Sequence, residues 1–424
     1  MTQYNSASTL SSWLKEIYAD SINDLIPEGV RLIKMVQFKA GDKELGGTFH
    51  QPVALTHEHG FTVGSGAFSL NNHIAASYAD AQVTGVNLLL RTAISYDAAA
   101  KASSSKKAFV KWSEQVVTNM TSSFTKRLEV LAFYGGASLG AVSAVSDSSG
   151  TNTITMTTAT WASGIWAGSE GCELDCYSAV TGGSQRNSNA TLVISAVNLV
   201  NRTVTVTGNS SDTAAIQAGD YLFYRGFRGA EMNGLDKIVT NSGTLYNISA
   251  ATYALWAGNS YSAGSGALTM AKIQAAVASG VAKGLDEKVS VFCCPTAYAN
   301  LNSDLAALRK FDGSYRSGKG ESGFESISYF GVNGEIEIIP SIYVKEGEAF
   351  CVPVKQLSRI GSSDVTMQMP ANLLTSSFSN SRATQATKCA CSRIRIFSRP
   401  GQVGSPRSLT SLTANRSPSI AGPP

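Results

Sequence analysis

The chain has 424 residues, of which only 15% are charged, and its formal net charge is +4. This length is enough for two or three hydrophobic cores, whereas the charged fraction is well below the roughly 25% that is usual in soluble domains. No apolar run of about 18 residues occurs, so a membrane span is not expected. The N-terminus lacks a basic stretch followed by an apolar one, so we expect no secretory signal.

The charge is unevenly distributed along the chain. After Asp364 there is no acidic residue, while seven Lys and Arg residues follow, so residues 1–364 sum to −3 and the remainder to +7. A basic tail on a slightly acidic body indicates an acidic partner, which can be a neighbouring subunit, an assembly factor or packaged nucleic acid. The Pro, Ser and Gly content beyond residue 400 is typical of a flexible tail.

The first predicted element is an amphipathic helix over residues 8–26, whose apolar residues include Trp13 and Ile17 at three- and four-residue steps and which ends at Pro27. A helix this short is marginal in water, so its apolar face requires a partner. Residues 36–85 follow as short extended runs separated by glycines, to which no core can be assigned. Such a long loop usually acts outside its own domain.

The longest predicted helix covers residues 103–134 and ends at Gly135-Gly136. Its apolar residues repeat without a break at three- and four-residue steps, so it can act as a beam on which a sheet packs. Residues 141–232 change to alternating Thr and Val, and they predict a small barrel or sandwich forming a separate domain. In this region Val204 and Val206 are expected on one face of a strand and Thr203 and Thr205 on the other.

Residues 268–286 predict another helix, which leads into the most informative part of the chain. A buried strand ending at Pro295 precedes a helix, and a hairpin centred on Asn333-Gly334 follows after a Gly/Ser/Lys loop. The adjacent Cys293 and Cys294 lie in this strand, where a small hydrophobic side chain suffices. Farther on, the alternating run KCACSRIRIF predicts a late strand that rejoins the sheet beside the long helix.

The order of strand, Pro and helix ending in Leu-Arg-Lys-Phe, and the passage Tyr-Phe-Gly-Val-Asn-Gly-Glu-Ile-Glu-Ile-Ile-Pro, resemble the axial domain of tailed-bacteriophage major capsid proteins of the Hong Kong 97 type. With the long helix and the extended loop, the resemblance covers about two thirds of the chain. It implies an α+β fold with a long spine helix, a peripheral sheet, an axial domain and an extension loop, and residues 141–232 depart from it as an inserted β-rich domain.

The resemblance also implies a division of the chain into segments. These are 1–35, N-terminal arm; 36–85, extension loop; 86–140, peripheral domain with the spine helix; 141–232, inserted β-barrel-like domain; 233–267, return of the peripheral domain; 268–370, axial domain; 371–400, C-terminal strand of the peripheral domain; and 401–424, flexible basic tail.

By the same resemblance, the expected function is self-assembly into an icosahedral shell of pentamers and hexamers around double-stranded DNA, in a virion assembled in the host cytoplasm. Scaffolding and portal proteins are the other expected partners, and DNA contact is expected to be weak and nonspecific. No membrane partner, enzymatic activity, cofactor or metal is expected. The residues expected to contact neighbouring subunits are Trp13, Ile17, Phe49, Phe61, Phe68, Arg316 and Lys319.

Several motifs suggest chemistry without meeting its requirements. Gly136-Ala-Ser138-Leu-Gly140 matches a nucleophile motif, but no His follows residue 73, so the chain order that this motif requires cannot be met and the histidine distribution argues against a Ser hydrolase. The Gly313–Gly320 loop lacks the Ser/Thr that would hold magnesium. Cys172, Cys176 and the pair His57 and His59 lack the further ligands that a metal site needs, and seven cysteines are better read as reduced thiols than as a disulfide framework.

One alternative class remains open, which is a β-rich adhesion or carbohydrate-binding protein. It is suggested by the β-rich character of residues 141–260 and by Trp161, Trp166 and Trp256. The long helix and the strand–helix–hairpin unit argue against it.

Overall fold

The computed structural model describes residues 29–40, 48–64, 69–86, 88–90, 106–188, 190–264, 266–308, 327–331 and 334–361, with four short strands farther along the chain. The helices are α1 (Leu32–Met35), α2 (Lys106–Tyr134), α3 (Ser163–Trp166), α4 (Ser210–Ala214), α5 (Leu235–Val239), α6 (Met270–Val281) and α7 (Pro295–Leu308). The strands are β1 (Gln37–Ala40), β2 (Thr48–Ala54), β3 (Tyr78–Thr84), β4 (Gly140–Ser148), β5 (Thr151–Met156), β6 (Glu173–Tyr177), β7 (Leu192–Asn198), β8 (Thr203–Thr207), β9 (Tyr221–Tyr224), β10 (Thr244–Leu245), β11 (Ile248–Ser249), β12 (Asn259–Ser262), β13 (Val289–Cys293), β14 (Ile327–Gly331), β15 (Gly334–Pro340), β16 (Glu348–Val352), β17 (Leu357–Gly361), β18 (Ser379–Ser381), β19 (Ala386–Lys388), β20 (Ile396–Ser398) and β21 (Thr410–Thr413).

The long helix α2 has 29 residues, which corresponds to roughly 44 Å at 1.5 Å per residue. It ends where the N–H of Gly135 bonds to the carbonyl of Leu131 and where Gly136 takes a φ of +79°, because glycine adopts this left-handed conformation at no steric cost. The last two turns of α2 are buried, including Leu128, Phe133 and Tyr134. These last two turns of the helix therefore lie in the core.

A mixed six-stranded sheet has the order β12-β21-β16-β13-β15-β14. Its central strand β13 is buried at all five residues, because both faces of the sheet are covered. Val291 on one face joins the core formed with α6 and α7, whereas Phe292 on the other face packs against Phe133 of α2, with ring centroids 5.8 Å apart. The alternation of side chains across a strand therefore connects two cores through one sheet.

Strands β4 to β9 close into a barrel with the order β4-β5-β8-β7-β6-β9. The predicted alternation in β8 is present, since Val204 and Val206 are fully buried while the three threonines are half-buried. The barrel is not packed on its own, however. Its interior residues, the stacked Trp161 and Trp166, and the end of α2 belong to one continuous core that reaches Phe292 and Phe350 of the sheet.

Backbone contacts also join the barrel to the sheet. The N–H of Gly164 donates to the carbonyl of Ile342 at 2.9 Å, and the N–H groups of Glu346 and Gly347 donate to carbonyls of the chain just before α3. The side chains of Arg202 and Glu346 form an ion pair at 2.9 Å. The predicted separate domain is therefore continuous with its surroundings, because the segment 341–347 that leads from β15 to β16 packs against it.

Several predicted boundaries differ from the observed ones. Helix α6 covers Met270–Val281 rather than 268–286, since the chain turns at Gly284, whose φ is +93°. The predicted hairpin is present, since β14 and β15 are antiparallel and pair Gly331 with Gly334, while Asn333 lies outside the described residues.

The C-terminal region also differs from its prediction. The late strand predicted near residue 394 is found as β20, antiparallel to β17 in a sheet that also contains β1. Within the tail predicted to be flexible, β21 lies between β12 and β16. Backbone groups at the edges of β12 and β16 require partners, and this strand supplies them. The prediction of a wholly flexible tail is wrong for Thr410–Thr413.

Candidate functional site

Strands β2 and β3 form an antiparallel hairpin. The two strands pair over seven residues, from Thr48 with Thr84 to Ala54 with Tyr78. One face of the hairpin is anchored, because Val53, Ala81 and Val83 are buried with Ile248 and Ile360 in a third hydrophobic core. The N–H of Gln82 also donates to the carbonyl of Tyr246 at 3.0 Å. The expectation that residues 36–85 have no core is therefore wrong at the root of the hairpin.

Beyond Ala54 the two arms continue as a loop held by specific hydrogen bonds. The N–H of Leu55 donates to the carbonyl of Ser77 at 2.8 Å, and the backbones of His59 and Ile74 exchange two hydrogen bonds of 2.9 and 3.0 Å. Asn71 joins the two arms farther out, because its N–H donates to Thr62 Oγ1 and its Nδ2 to the carbonyl of Phe61, both at 2.8 Å. The described parts of the two arms, residues 55–64 and 69–77, are thus joined by hydrogen bonds.

This held loop exposes large apolar side chains. We define the apolar tip as Phe61, Val63, Leu70 and Ile74, whose exposed fractions are 81%, 97%, 79% and 58%. Isolated exposed apolar residues are ordinary, but several of them on one hydrogen-bonded loop indicate a surface that another molecule covers. The structure therefore presents an anchored hairpin with an apolar end.

The residues expected to contact neighbouring subunits are placed as follows. Phe61 is on the apolar tip, as the interface interpretation requires. Phe49 is half-buried and packs within the chain against the third core, because its position on β2 faces the same side as Val53. Trp13, Ile17, Phe68, Arg316 and Lys319 lie outside the described residues.

The segment before β1 is fixed to the long helix by one carboxylate. Glu129, on a buried turn of α2, accepts the backbone N–H groups of Arg31, Leu32 and Ile33 at 3.0, 2.8 and 2.8 Å. These are the N–H groups at the start of α1, which have no partner inside the helix. Burial raises the pKa of Glu129, and the three N–H donors oppose this shift. Sequence reasoning missed this residue, since a single acidic residue in a helix gives no sign of backbone partners almost 100 residues away.

A second polar cluster joins the end of α2 to the six-stranded sheet. The N–H of Lys345 donates to the hydroxyl of Tyr134 at 2.8 Å, and its ammonium donates to the carbonyl of Ser138 at 2.9 Å while lying 3.9 Å from the centroid of the Tyr134 ring. Burial raises the pKa of Glu348 to about 7, although the Lys345 charge opposes the shift. Ser138 is itself buried, so the nucleophile motif is a structural turn.

The tryptophans that suggested carbohydrate binding are not available as a sugar platform. Trp161 and Trp166 are 2% and 1% exposed and stack on each other with centroids 6.1 Å apart. Trp256 packs against the third core and donates its Nε1–H to the carbonyl of Leu245 at 3.0 Å. Their role is packing, which removes the observation that favoured the adhesin alternative.

The described part of the chain contains neither a candidate membrane span nor a candidate metal cluster. No helix there is long and apolar enough to cross a membrane. No group of three His, Cys, Asp or Glu side chains is arranged there to hold a metal ion.

No protein-family model matches the chain, and no curated protein matches its sequence. Solved structures do match over nearly the whole length. The cyanophage A-1(L) capsid asymmetric unit covers 96% of this chain and 99% of its own at a TM-score of 0.58 and 8% identity. The capsid of a native GTA particle covers 98% and 100% at a TM-score of 0.51 and 8% identity. The chain therefore has the fold of phage capsid proteins, in which helices and sheets are mixed.

Proposed function

We propose that this chain is the major capsid protein of a tailed bacteriophage and that it self-assembles into an icosahedral shell enclosing double-stranded DNA. The observation that carries the proposal is the likeness to capsid chains over their full length, together with an anchored hairpin that ends in exposed apolar residues. A fold match alone says nothing of assembly, but the apolar tip is a surface that needs covering.

Within this proposal, α2 is the spine helix and the six-stranded sheet with α6 and α7 belongs to the axial domain. The β2–β3 hairpin is the extension loop, and the β4–β9 barrel is the inserted domain. The Glu129 contact fixes where the N-terminal arm leaves the spine helix. The function is structural, and its chemistry is that of interfaces rather than of catalysis.

The apolar tip then packs on an adjacent subunit, and so do Trp13, Ile17 and Phe68. Arg316 and Lys319 contact neighbours around a symmetry axis, which is supported by their place between glycines in a basic loop. Scaffolding and portal proteins are the assembly partners, and DNA contact is weak because the body of the chain is slightly acidic. Assembly takes place in the host cytoplasm, and the assembled protein is a component of the virion.

The experiment that tests the proposal is negative-stain electron microscopy of the recombinant full chain, alone and together with the products of neighbouring genes. We expect closed shells, tubes, or rings of five or six subunits. A uniform small particle under every condition, including with those gene products, would contradict it. Charge reversal at both Arg316 and Lys319 is expected to lower the assembly yield, and an unchanged yield would remove these two residues from the interface.

A further inference from the structure

A cavity of about 480 Å³ lies between α1, α2 and the loop that follows α3. Its lining includes Val30, Lys34, Lys126, Arg127, Glu170 and Tyr224. Three of these side chains are basic and one is acidic. No residue of the apolar tip lines the cavity, and no role proposed above uses it.

Arg127 is a strongly held but incompletely paired group in this cavity. Its guanidinium carbon lies 3.2 Å from the centroid of the Tyr224 ring, and its Nη2 is 3.6 Å from Cys172 Sγ, which is a weak acceptor. A guanidinium has five N–H donors in a planar fork that matches a carboxylate or a phosphate. Among the described residues, no carboxylate accepts a hydrogen bond from these N–H groups. The guanidinium is therefore held by stacking on the Tyr224 ring, and its N–H groups remain available to a ligand in the cavity.

Lys126, next to Arg127, adds to the positive charge of the cavity. Lys126 donates its ammonium to the carbonyl of Ala167. Desolvation lowers the pKa of Lys126, the positive charge of Arg127 lowers it further, and Glu170 opposes the shift only in part. Burying these positive charges therefore costs free energy, and an anion that entered the cavity would reduce that cost.

The chain itself carries a matching anionic segment. Residues 1–28 contain four acidic residues and one basic residue, Lys15. Glu16, Asp20 and Asp24 are four positions apart within the helix predicted over residues 8–26, so they share one face of it. The fourth acidic residue, Glu28, follows Pro27. This segment joins the described chain at Gly29, directly before Val30, which lines the cavity.

We propose that the cavity beside Arg127 is a docking site for the acidic N-terminal segment of the same copy, with a carboxylate of that segment seated on the Arg127 fork and flanked by Lys126 and Lys34. The short connection makes the encounter intramolecular, so the effective concentration of the carboxylates at the cavity is high. This docking of the N-terminal segment does not depend on whether the protein forms a shell. It would direct the N-terminal segment along α2 while leaving the apolar residues Trp13 and Ile17 for another surface.

The test is zero-length cross-linking of the full chain with a carbodiimide, which joins a lysine amine to a carboxylate in contact with it, followed by peptide mass spectrometry. Lys288 and Glu335, which form an exposed ion pair at 2.6 Å, give an internal positive control. We expect cross-links from Lys126 or Lys34 to the carboxylates of residues 16–28. In a mixture of isotopically labelled and unlabelled copies, these links should join peptides of the same label.

The variant Arg127→Gln removes the fork but neither of the cross-linking amines. We expect it to lower the yield of these links about tenfold, as for the loss of one charge-assisted contact, with the Lys288–Glu335 link unchanged. The proposal fails if Lys126 and Lys34 link only to Glu170 or to nothing while the control link forms. Links that join mainly peptides of different label would assign the site to the segment of a second copy and overturn docking within one chain.

Discussion

The carboxylate of Glu129 accepts the backbone N–H of Ile33 at 2.8 Å, although 96 residues separate the two in the sequence. Together with the bonds from Arg31 and Leu32, this contact gives the start of α1 a cap that comes from another helix. The position at which the chain meets α2 therefore depends on one buried carboxyl group.

Replacing Glu129 with Gln should destabilise the protein and loosen this junction. The amide accepts fewer hydrogen bonds than the carboxylate and brings a donor that would face other donors. We expect a loss of about 1–3 kcal/mol in the free energy of unfolding, measured by urea denaturation, and faster hydrogen exchange at the amides of Leu32 and Ile33. Glu173→Gln, which breaks an exposed ion pair with Arg225, is the matched control and should change stability by less than about 1 kcal/mol. Equal effects of the two variants would contradict the capping role.

The apolar tip and the root of the hairpin should respond in opposite ways to truncation. Phe61→Ala removes an exposed ring, so we expect the free energy of unfolding to change by less than about 0.5 kcal/mol while the yield of assembled particles falls. Val53→Ala at the buried root should cost roughly 1–3 kcal/mol. Urea denaturation of unassembled protein and particle counts by electron microscopy separate the two effects. An unchanged yield in Phe61→Ala, and likewise in Trp13→Ala, would count against the interface.

The acid–base behaviour of Glu231 gives a prediction on pH. Burial raises its pKa to about 8, although the N–H of Gly136 opposes the shift, and its Oε1 has no hydrogen-bond partner among the residues that the structure describes. The folded state therefore keeps a proton that the unfolded state releases above its ordinary pKa of 4.5, so folding loses stability as the pH rises from about 4.5 toward 8. Glu231→Gln should be nearly neutral at pH 4.5 and stabilising by about 1–2 kcal/mol at pH 8. Urea unfolding at both pH values checks this, and an effect independent of pH would disprove it.

Gly258 is a position where the backbone itself leaves no space for a side chain. A Cβ there would lie 2.0 Å from the carbonyl oxygen of Val239, whereas a Cβ on Gly243 would meet nothing within 4 Å. We expect Gly258→Ala to lower the free energy of unfolding by about 3 kcal/mol, at the upper end for overpacking, because backbone must move. Gly243→Ala should be neutral or stabilising by up to about 1 kcal/mol. Thermal unfolding of the two variants under the same conditions compares them, and similar midpoints would contradict the predicted difference.

Elements with strong periodic signals could be predicted from the sequence. The unbroken apolar stripe of α2, the alternation of β8 and the buried run of β13 each follow from local pattern, and the order of the elements carried the resemblance. The candidate site was predictable in part, since Phe61 lies in a segment to which the sequence pattern assigned no core of its own. The sequence pattern did not show which apolar residues of the hairpin pack within the chain and which are exposed. Phe49 and Val53 look no different from Phe61 in sequence, and only contact with Ile248 and Ile360, about 200 and 300 residues away, separates them.

Long-range polar contacts were also beyond prediction. Glu129 and Lys345 each form hydrogen bonds with backbone groups far away in the sequence, and no local pattern predicts such partners. The flexible tail was inferred from its composition. A four-residue strand such as β21 has too little periodicity to be recognised, because its pairing is decided by the strands on either side rather than by its own residues.

The place of β21 has a consequence for how the protein is made. This strand, Thr410–Thr413, lies between β12 and β16 and pairs with both, so the six strands cannot be joined until those residues have been synthesised. A ribosome that has translated the first 350 residues has already released β12 and β13, yet the two parts of the sheet still lack the strand between them. A chain that stopped shortly before residue 410 would leave two open strand edges in this sheet, and such edges pair readily with other chains. The sheet can therefore close only after Thr410–Thr413 has left the ribosome.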